Sequence, residues 1–317
     1  MGSPPILPCA AERCIVLQRS RTLAVAAWAT LVTQILIVGT GGAVRLTGSG
    51  LGCTEWPNCT PESFVPVPEQ GIHGVIEFGN RVWGGVVIVV ALVMLVLAIV
   101  RRAGRGVVTL AALVVGLTLA QALIGAVVVW MRLRPDTVGI HFFLSVILVV
   151  LSAVLTWKVV VGPSGPRVAP RSQTILVHAM TAVLAIVIVV GVLTTGSGPH
   201  AGDGGAARNG LDPAVMQHVH AWPGYALVAL LGAVLAAALV RGPRRHLRLV
   251  LAMLAVVLVQ VAVGIVQSNL GLPIALVGIH MVLSVVTAAL GAAVVLSLRP
   301  PAADAPAEAE EREAVAA

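Results

Sequence analysis

Eight histidines and a few isolated carboxylates stand out in this 317-residue chain, because 58% of its residues are hydrophobic and only 10% are charged. His141, His218, His220 and His280 lie in or beside apolar runs, and His73, Glu77, Asn80 and Arg81 begin another. Imidazole is a common metal ligand, and an ionisable group in an apolar helix is costly enough to count as a functional candidate. Two imidazoles facing one another across a helical bundle can hold a haem iron, the bundle core supplying a flat, dry slot. A carboxylate beside such a slot can relay protons or polarise a bound oxygen species. Each residue also has a plainer alternative: packing with a hydrogen bond for a histidine, pairing with Arg81 for Glu77.

The elements that must position these residues are membrane spans. A helix crosses a bilayer with about 20 apolar residues. Eight stretches qualify, roughly 22–42, 73–100, 106–130, 139–160, 173–195, 214–240, 247–268 and 276–298. They are too long and too uniformly apolar for outer-membrane strands, which need about 10 alternating residues. A typical soluble domain carries about 25% charged residues, so a soluble enzyme is excluded, as is a disordered chain. The net charge of +7 is scattered rather than gathered into a patch, so nucleic acid is not an expected partner and the lipid bilayer is.

Fifteen of the 20 Lys and Arg residues fall in the N-terminal tail, the 101–105 turn, the 158–172 loop, the 241–248 loop and the C-terminal tail. That bias predicts a multi-pass protein of the plasma membrane with these segments, and both termini, on the cytoplasmic side. The first apolar run lacks a small-residue cleavage site and reads as a retained helix. Residues 1–21 then form a cytoplasmic tail. Residues 299–317, acidic and rich in Pro and Ala, read as a disordered one.

The chain also repeats itself. QALIGAVVVWMRLRPDTVGIHFFLSV (121–146) aligns without gaps to QVAVGIVQSNLGLPIALVGIHMVLSV (260–285), matching Gln121 to Gln260, Gly125 to Gly264, and His141 to His280. TGSG occurs at 47–50 and again at 195–198. The expected fold is therefore an all-α polytopic membrane protein with eight helices in two pseudo-symmetric four-helix bundles, 22–160 and 173–298, joined by a linker at 161–172. An even number of helices per half makes the repeats parallel; inverted repeats need an odd number.

His280 is fixed by the repeat, and its partner is His218 or His220. Residues two apart on a helix point about 200° apart, so only one of them can face the slot. In the first half His141 is the mate of His280, but aligning NRVWGG (80–85) with HAWPGY (220–225) puts Asn80 opposite His220. His73 is a poor substitute, roughly 10 Å farther along the helix axis. One half thus keeps a closed pair suited to electron transfer, while the other is incomplete and can admit substrate or oxygen. Arg45 can bind haem propionates or simply reach the membrane interface. His178, His200, Asp203 and His246 are assigned to no site. Cys9 and Cys14 fall on the reducing side. Cys53 and Cys59, on the opposite face in LGCTEWPNC, read as a disulfide, with free thiols or a transient metal site as the alternatives.

GGAVRLTGSGLGCTEWPNC (41–59), IEFGNRV (76–82), VGIH (138–141), TGSGPHAGD (195–203), HVHAW (218–222) and VGIH (277–280) together resemble the haem A synthase family, in its actinobacterial style. The resemblance covers nearly all of 22–298. It implies an oxidoreductase that converts haem O to haem A for cytochrome oxidase, oxidising the C8 methyl group to a formyl group by two hydroxylations and loss of water. It implies haem b on His220 and His280 as axial ligands, a substrate site in the first half with His141 as iron ligand, Glu77 as the essential carboxylate, and Cys53 and Cys59 as the family's cysteine pair. The family pattern has a His where this chain has Asn80, so the substrate iron is ligated by His141 alone or with another group such as His73. Haem O is the expected substrate. The electron donor is unspecified, contact with a haem O synthase is a further expectation, and a homo-oligomer is compatible with the sequence. The alternative function is a di-haem b transmembrane electron-transfer cytochrome without haem-modifying activity, which would need a full pair of histidines in both halves. A transporter would instead need polar groups near the bilayer centre.

Overall fold

A computed structural model describes residues 10–166, 169–299 and 301, with side chains from Arg21 onward except that of Arg241. Cys9, the Cys14 thiol, Arg167 and, apart from Pro301, the tail beyond Arg299 expected to be disordered lie outside the described part.

Eight long helices follow in order: α1 (Ala10–Leu46), α2 (Gly71–Val100), α3 (Arg105–Trp130), α4 (Pro135–Val160), α5 (Arg171–Ser197), α6 (Pro213–Arg241), α7 (Arg244–Asn269) and α8 (Ile274–Leu296). All eight are long and apolar enough to cross a membrane. The boundaries depart from the apolar runs where local chemistry sets them. Ala10 to Arg21 contains no Pro or Gly, and α1 starts at Ala10 rather than near residue 22. Pro135 occupies the first turn of α4, where its missing N–H is no loss. Asp212 caps α6 by accepting hydrogen bonds from the Ala214 and Val215 amides.

In the first half α1 packs on α2 and α4, and α3 on α2 and α4, closing a four-helix bundle. In the second half α5–α6, α6–α7, α7–α8 and α5–α8 contacts close another. The bundles meet through α4–α8, α1–α8 and α4–α5. The two VGIH repeats explain part of this seam. A Cβ built on Gly139 would lie 3.0 Å from Val192 on α5, and one on Gly278 would lie 3.5 Å from Leu46 on α1. The same glycine therefore seats each half against the first helix of the other, as a pseudo-two-fold axis along the membrane normal requires. Small residues are what allow such close helix approach in membranes.

Apolar packing is not spread evenly along the bundles. Met94, Ala98, Ala111 and Leu155 plug the end of the first bundle where α2 turns into α3. Met180, Leu231, Val250, Met253 and Val294 do the same for the second. The opposite end, the disulfide end, carries the long α1–α2 connection with its Cys53–Cys59 bond. The polar residues of α2, α4, α6 and α8 begin at that end, beyond these plugs.

Candidate functional site

The second bundle brings two histidines together. The rings of His220 on α6 and His280 on α8 have centroids 6.2 Å apart and planes inclined at 76°. Imidazole–metal bonds run about 2.0–2.1 Å, so rings at this spacing leave room for one metal ion between them. Both Nδ1 atoms are buried without a hydrogen-bond partner, although His220 lies near the Val187 carbonyl and His280 near that of Gln260. A buried polar atom left unpaired costs about 1–3 kcal/mol, and a metal–nitrogen bond on the other side of the ring would offset such a cost. The pair fits a haem iron. His218, two residues before His220, is exposed, and of the two it is the His220 ring that faces α8.

His141 occupies the equivalent place on α4, also with a buried and unpartnered Nδ1. Gln121 on α3 donates its Nε2 to the His141 carbonyl at 2.7 Å, and Gln260 on α7 donates to the His280 carbonyl at 2.9 Å. The repeated Gln is thus a repeated backbone clasp. Nothing equivalent to the His220–His280 pair forms here. The Asn80 side-chain oxygen accepts a hydrogen bond from the Thr40 hydroxyl at 2.7 Å. His73 is exposed and its Nδ1 pairs with Ser49 Oγ at 2.9 Å. It lines an open cavity of about 780 Å³ at the disulfide end, together with Glu62, Glu69 and Asp203, and no hydrogen bond joins it to His141.

Glu77, only 4% exposed, is the sole buried acidic side chain among the described residues. Its Oε1 pairs with Arg81 Nη2 at 2.6 Å and its Oε2 accepts the Cys53 N–H at 2.7 Å. Arg81 also donates to the Asn58 carbonyl at 2.9 Å. The Glu77–Arg81 pair, one turn apart on α2, therefore clamps the cysteine loop to the helix. Cys53 and Cys59 form a disulfide, and both residues are fully buried. Gly52 is needed beside them, since a Cβ there would collide with the His73 backbone. The pairing with Arg81 foreseen as an alternative for Glu77 is present; the contact to the Cys53 amide has no sequence signature.

Arg45 crosses between the halves. Its Nε donates to the His200 carbonyl at 2.9 Å and its Nη2 to the Thr195 carbonyl at 3.1 Å. Arg208, from the Gly-rich loop before α6, stands within electrostatic range of it. Two guanidinium groups at the disulfide end suit a carboxylate ligand such as a propionate; the sequence pointed to Arg45 alone. His200 is held by the Leu272 carbonyl, and His246 by Ser297 at the far end of the second bundle, away from these residues.

A family model described as COX15-CtaA, cytochrome oxidase assembly protein, matches residues 24–294. The heme A synthase of Bacillus pumilus (strain SAFR-032) is 33% identical over 157 residues, covering 48% of this chain and 47% of that protein. That of Granulibacter bethesdensis (strain ATCC BAA-1260 / CGDNIH1) is 30% identical over 221 residues, 58% of each. That of Bacillus cereus (strain AH187) is 38% identical over 125 residues, covering 38% of this chain and 40% of that protein. The chain spans about half the length of the curated relatives it matches. With the family match reaching from α1 into α8 and taking in both histidine-bearing bundles, this chain belongs to the COX15-CtaA family of cytochrome oxidase assembly proteins.

Proposed function

We propose that the chain is a haem A synthase, a membrane-bound oxidoreductase that oxidises the C8 methyl group of haem O to a formyl group by successive hydroxylations. The observation that carries this reading is the inequality of two repeat-related positions: His220 faces His280 at 6.2 Å, while Asn80 stands in the corresponding place on α2 and is bonded to Thr40. The likeness to proteins named heme A synthase supports it. An electron-transfer cytochrome with two closed sites is disfavoured by Asn80.

In this reading residues 173–298 hold haem b through His220 and His280, and residues 22–160 bind haem O through His141. Haem b, when bound, supplies one-electron redox chemistry. The chain's own residues do the rest. Gln121 and Gln260 fix the backbones of the ligand-bearing turns. Asn80 leaves the side of the slot opposite His141 without a second imidazole. Glu77, one turn before Asn80 on α2, is kept in place by Arg81 and the Cys53 amide, and its buried carboxylate can hold or pass a proton. Arg45 and Arg208 offer charge to the propionates. The basic residues gathered at the ends of the helices away from the disulfide support a plasma-membrane protein with both termini in the cytoplasm. Haem O is poorly suited to free diffusion in water, which favours direct contact with the haem O synthase; an electron donor is also required.

Haem extraction and chromatography from cells expressing the chain with a haem O source tests the reading. Haem A should appear only with this protein, and Glu77→Ala should keep the haem b spectrum yet yield no haem A. Absence of haem A from the wild-type cells would overturn the assignment, and normal output from Glu77→Ala would reduce Glu77 to its loop-clamping role.

A further inference from the structure

We propose that Gly41, Gly125, Gly191 and Gly264 are positioning residues, each forming the seat against which one iron-facing side chain is pressed. The inference rests on the haem-binding reading of His141, His220 and His280 and extends it to the helices that carry no ligand. Each glycine lies on an odd-numbered helix and faces the ligand position of the next even-numbered one. A Cβ built on Gly191 of α5 would lie 2.9 Å from Cε1 of His220; on Gly264 of α7, 3.3 Å from Cε1 of His280; on Gly125 of α3, 3.4 Å from Cε1 of His141; and on Gly41 of α1, 3.8 Å from Oδ1 of Asn80. In all three histidines the ring atom nearest the glycine is the same one.

Glycine is the weakest helix former after proline, and all four lie within helices, where the contacts a Cβ would make distinguish them. Other helical glycines show the contrast: Gly116 on α3 and Gly232 on α6 have no atom within 4 Å of a built Cβ. On α3 and α7 the seat is paired with the clasp. Gln121 and Gln260 stand one turn before Gly125 and Gly264, on the same helix face, and bond the carbonyls of His141 and His280. The Gln fixes the backbone of the ligand residue and the Gly fixes the edge of its ring, which together set how far the nitrogen reaches and how the ring plane is turned. Asn80 occupies the fourth seat, in the place that His220 takes in the second half.

The distances give a graded test. A methyl at 2.9 Å must push the ring away, one at 3.3 Å requires a small shift, and one at 3.4 Å is an ordinary contact. Full-length wild type, Gly191→Ala, Gly264→Ala, Gly125→Ala and Gly232→Ala are purified from membranes with their haem. Absorption and ferric EPR are then recorded, because the g-values of a low-spin bis-imidazole haem depend on the angle between the two rings. Gly191→Ala should lose the low-spin signal. Gly264→Ala should keep it with shifted g-values, and Gly125→Ala and Gly232→Ala should match wild type in the His220–His280 signal. Wild-type g-values in Gly191→Ala overturn the proposal. Should that variant fail to accumulate, unchanged g-values in Gly264→Ala overturn it instead. A wild-type protein with no low-spin haem would remove the haem-binding reading itself, and the seats with it.

Discussion

Asn80 accepts a hydrogen bond from Thr40, and a Cβ on Gly41 would meet its side-chain oxygen at 3.8 Å, an ordinary contact, in the place that His220 takes in the second half. Asn80→His is therefore expected to place a second ring opposite His141 and close the first slot. Spectra of the purified variant should gain a second low-spin haem, and haem A output should fall severalfold or more; a spectrum and output like wild type would show that α2 does not face His141 across the iron. The broken symmetry was legible in the sequence, because the repeat supplied the position against which Asn80 is anomalous. The partners were not. Thr40 for Asn80, Ser49 for His73 and the Cys53 amide for Glu77 come from segments 24 to 40 residues away, and a hydroxyl or amide carries no mark of what it will meet.

The helices were legible for a different reason. Apolar runs of span length have one stable arrangement in lipid, so α2 to α8 fall close to the expected stretches. Their ends were less so, since Pro135 and the Asp212 cap set them rather than hydropathy. The α1–α2 connection is the element where sequence reading stopped soonest. Its disulfide was the preferred reading and is present; what the sequence did not show is that it is a buried fastening, held down by Glu77 and Arg81 with Gly52 against the start of α2. Alkylation of the native protein without reductant should leave Cys53 and Cys59 unmodified, by mass spectrometry of the loop peptide, and a water-soluble reductant should open the bond only slowly because neither residue is exposed. Ready labelling of both cysteines would contradict the buried linkage.

The two bundles are joined by more than apolar packing. Arg45 gives two hydrogen bonds from α1 to carbonyls of the second half, and a bond from a charged donor contributes about 1.5–3 kcal/mol. Arg45→Ala should lower the thermal unfolding midpoint of the detergent-solubilised protein by several degrees, while Arg45→Lys, which cannot reach both carbonyls in the same fork, recovers part of it. A midpoint unchanged in Arg45→Ala would mean that the seam does not depend on this crossing. The division into two bundles followed from the repeat, but the crossing did not, since Arg45 lies outside the repeated segment and its acceptors are backbone atoms.

The seam built by Gly139 and Gly278 has the form found between identical subunits: each half offers the surface that the other half offers back. In an assembly of two identical chains every substitution occurs twice, and losing one histidine would empty both sites. Here the two copies lie on one polypeptide, so each can be altered alone. That covalent join allows a His at 220 and an Asn at 80 in equivalent places of the two halves, while the surface between them keeps its symmetry.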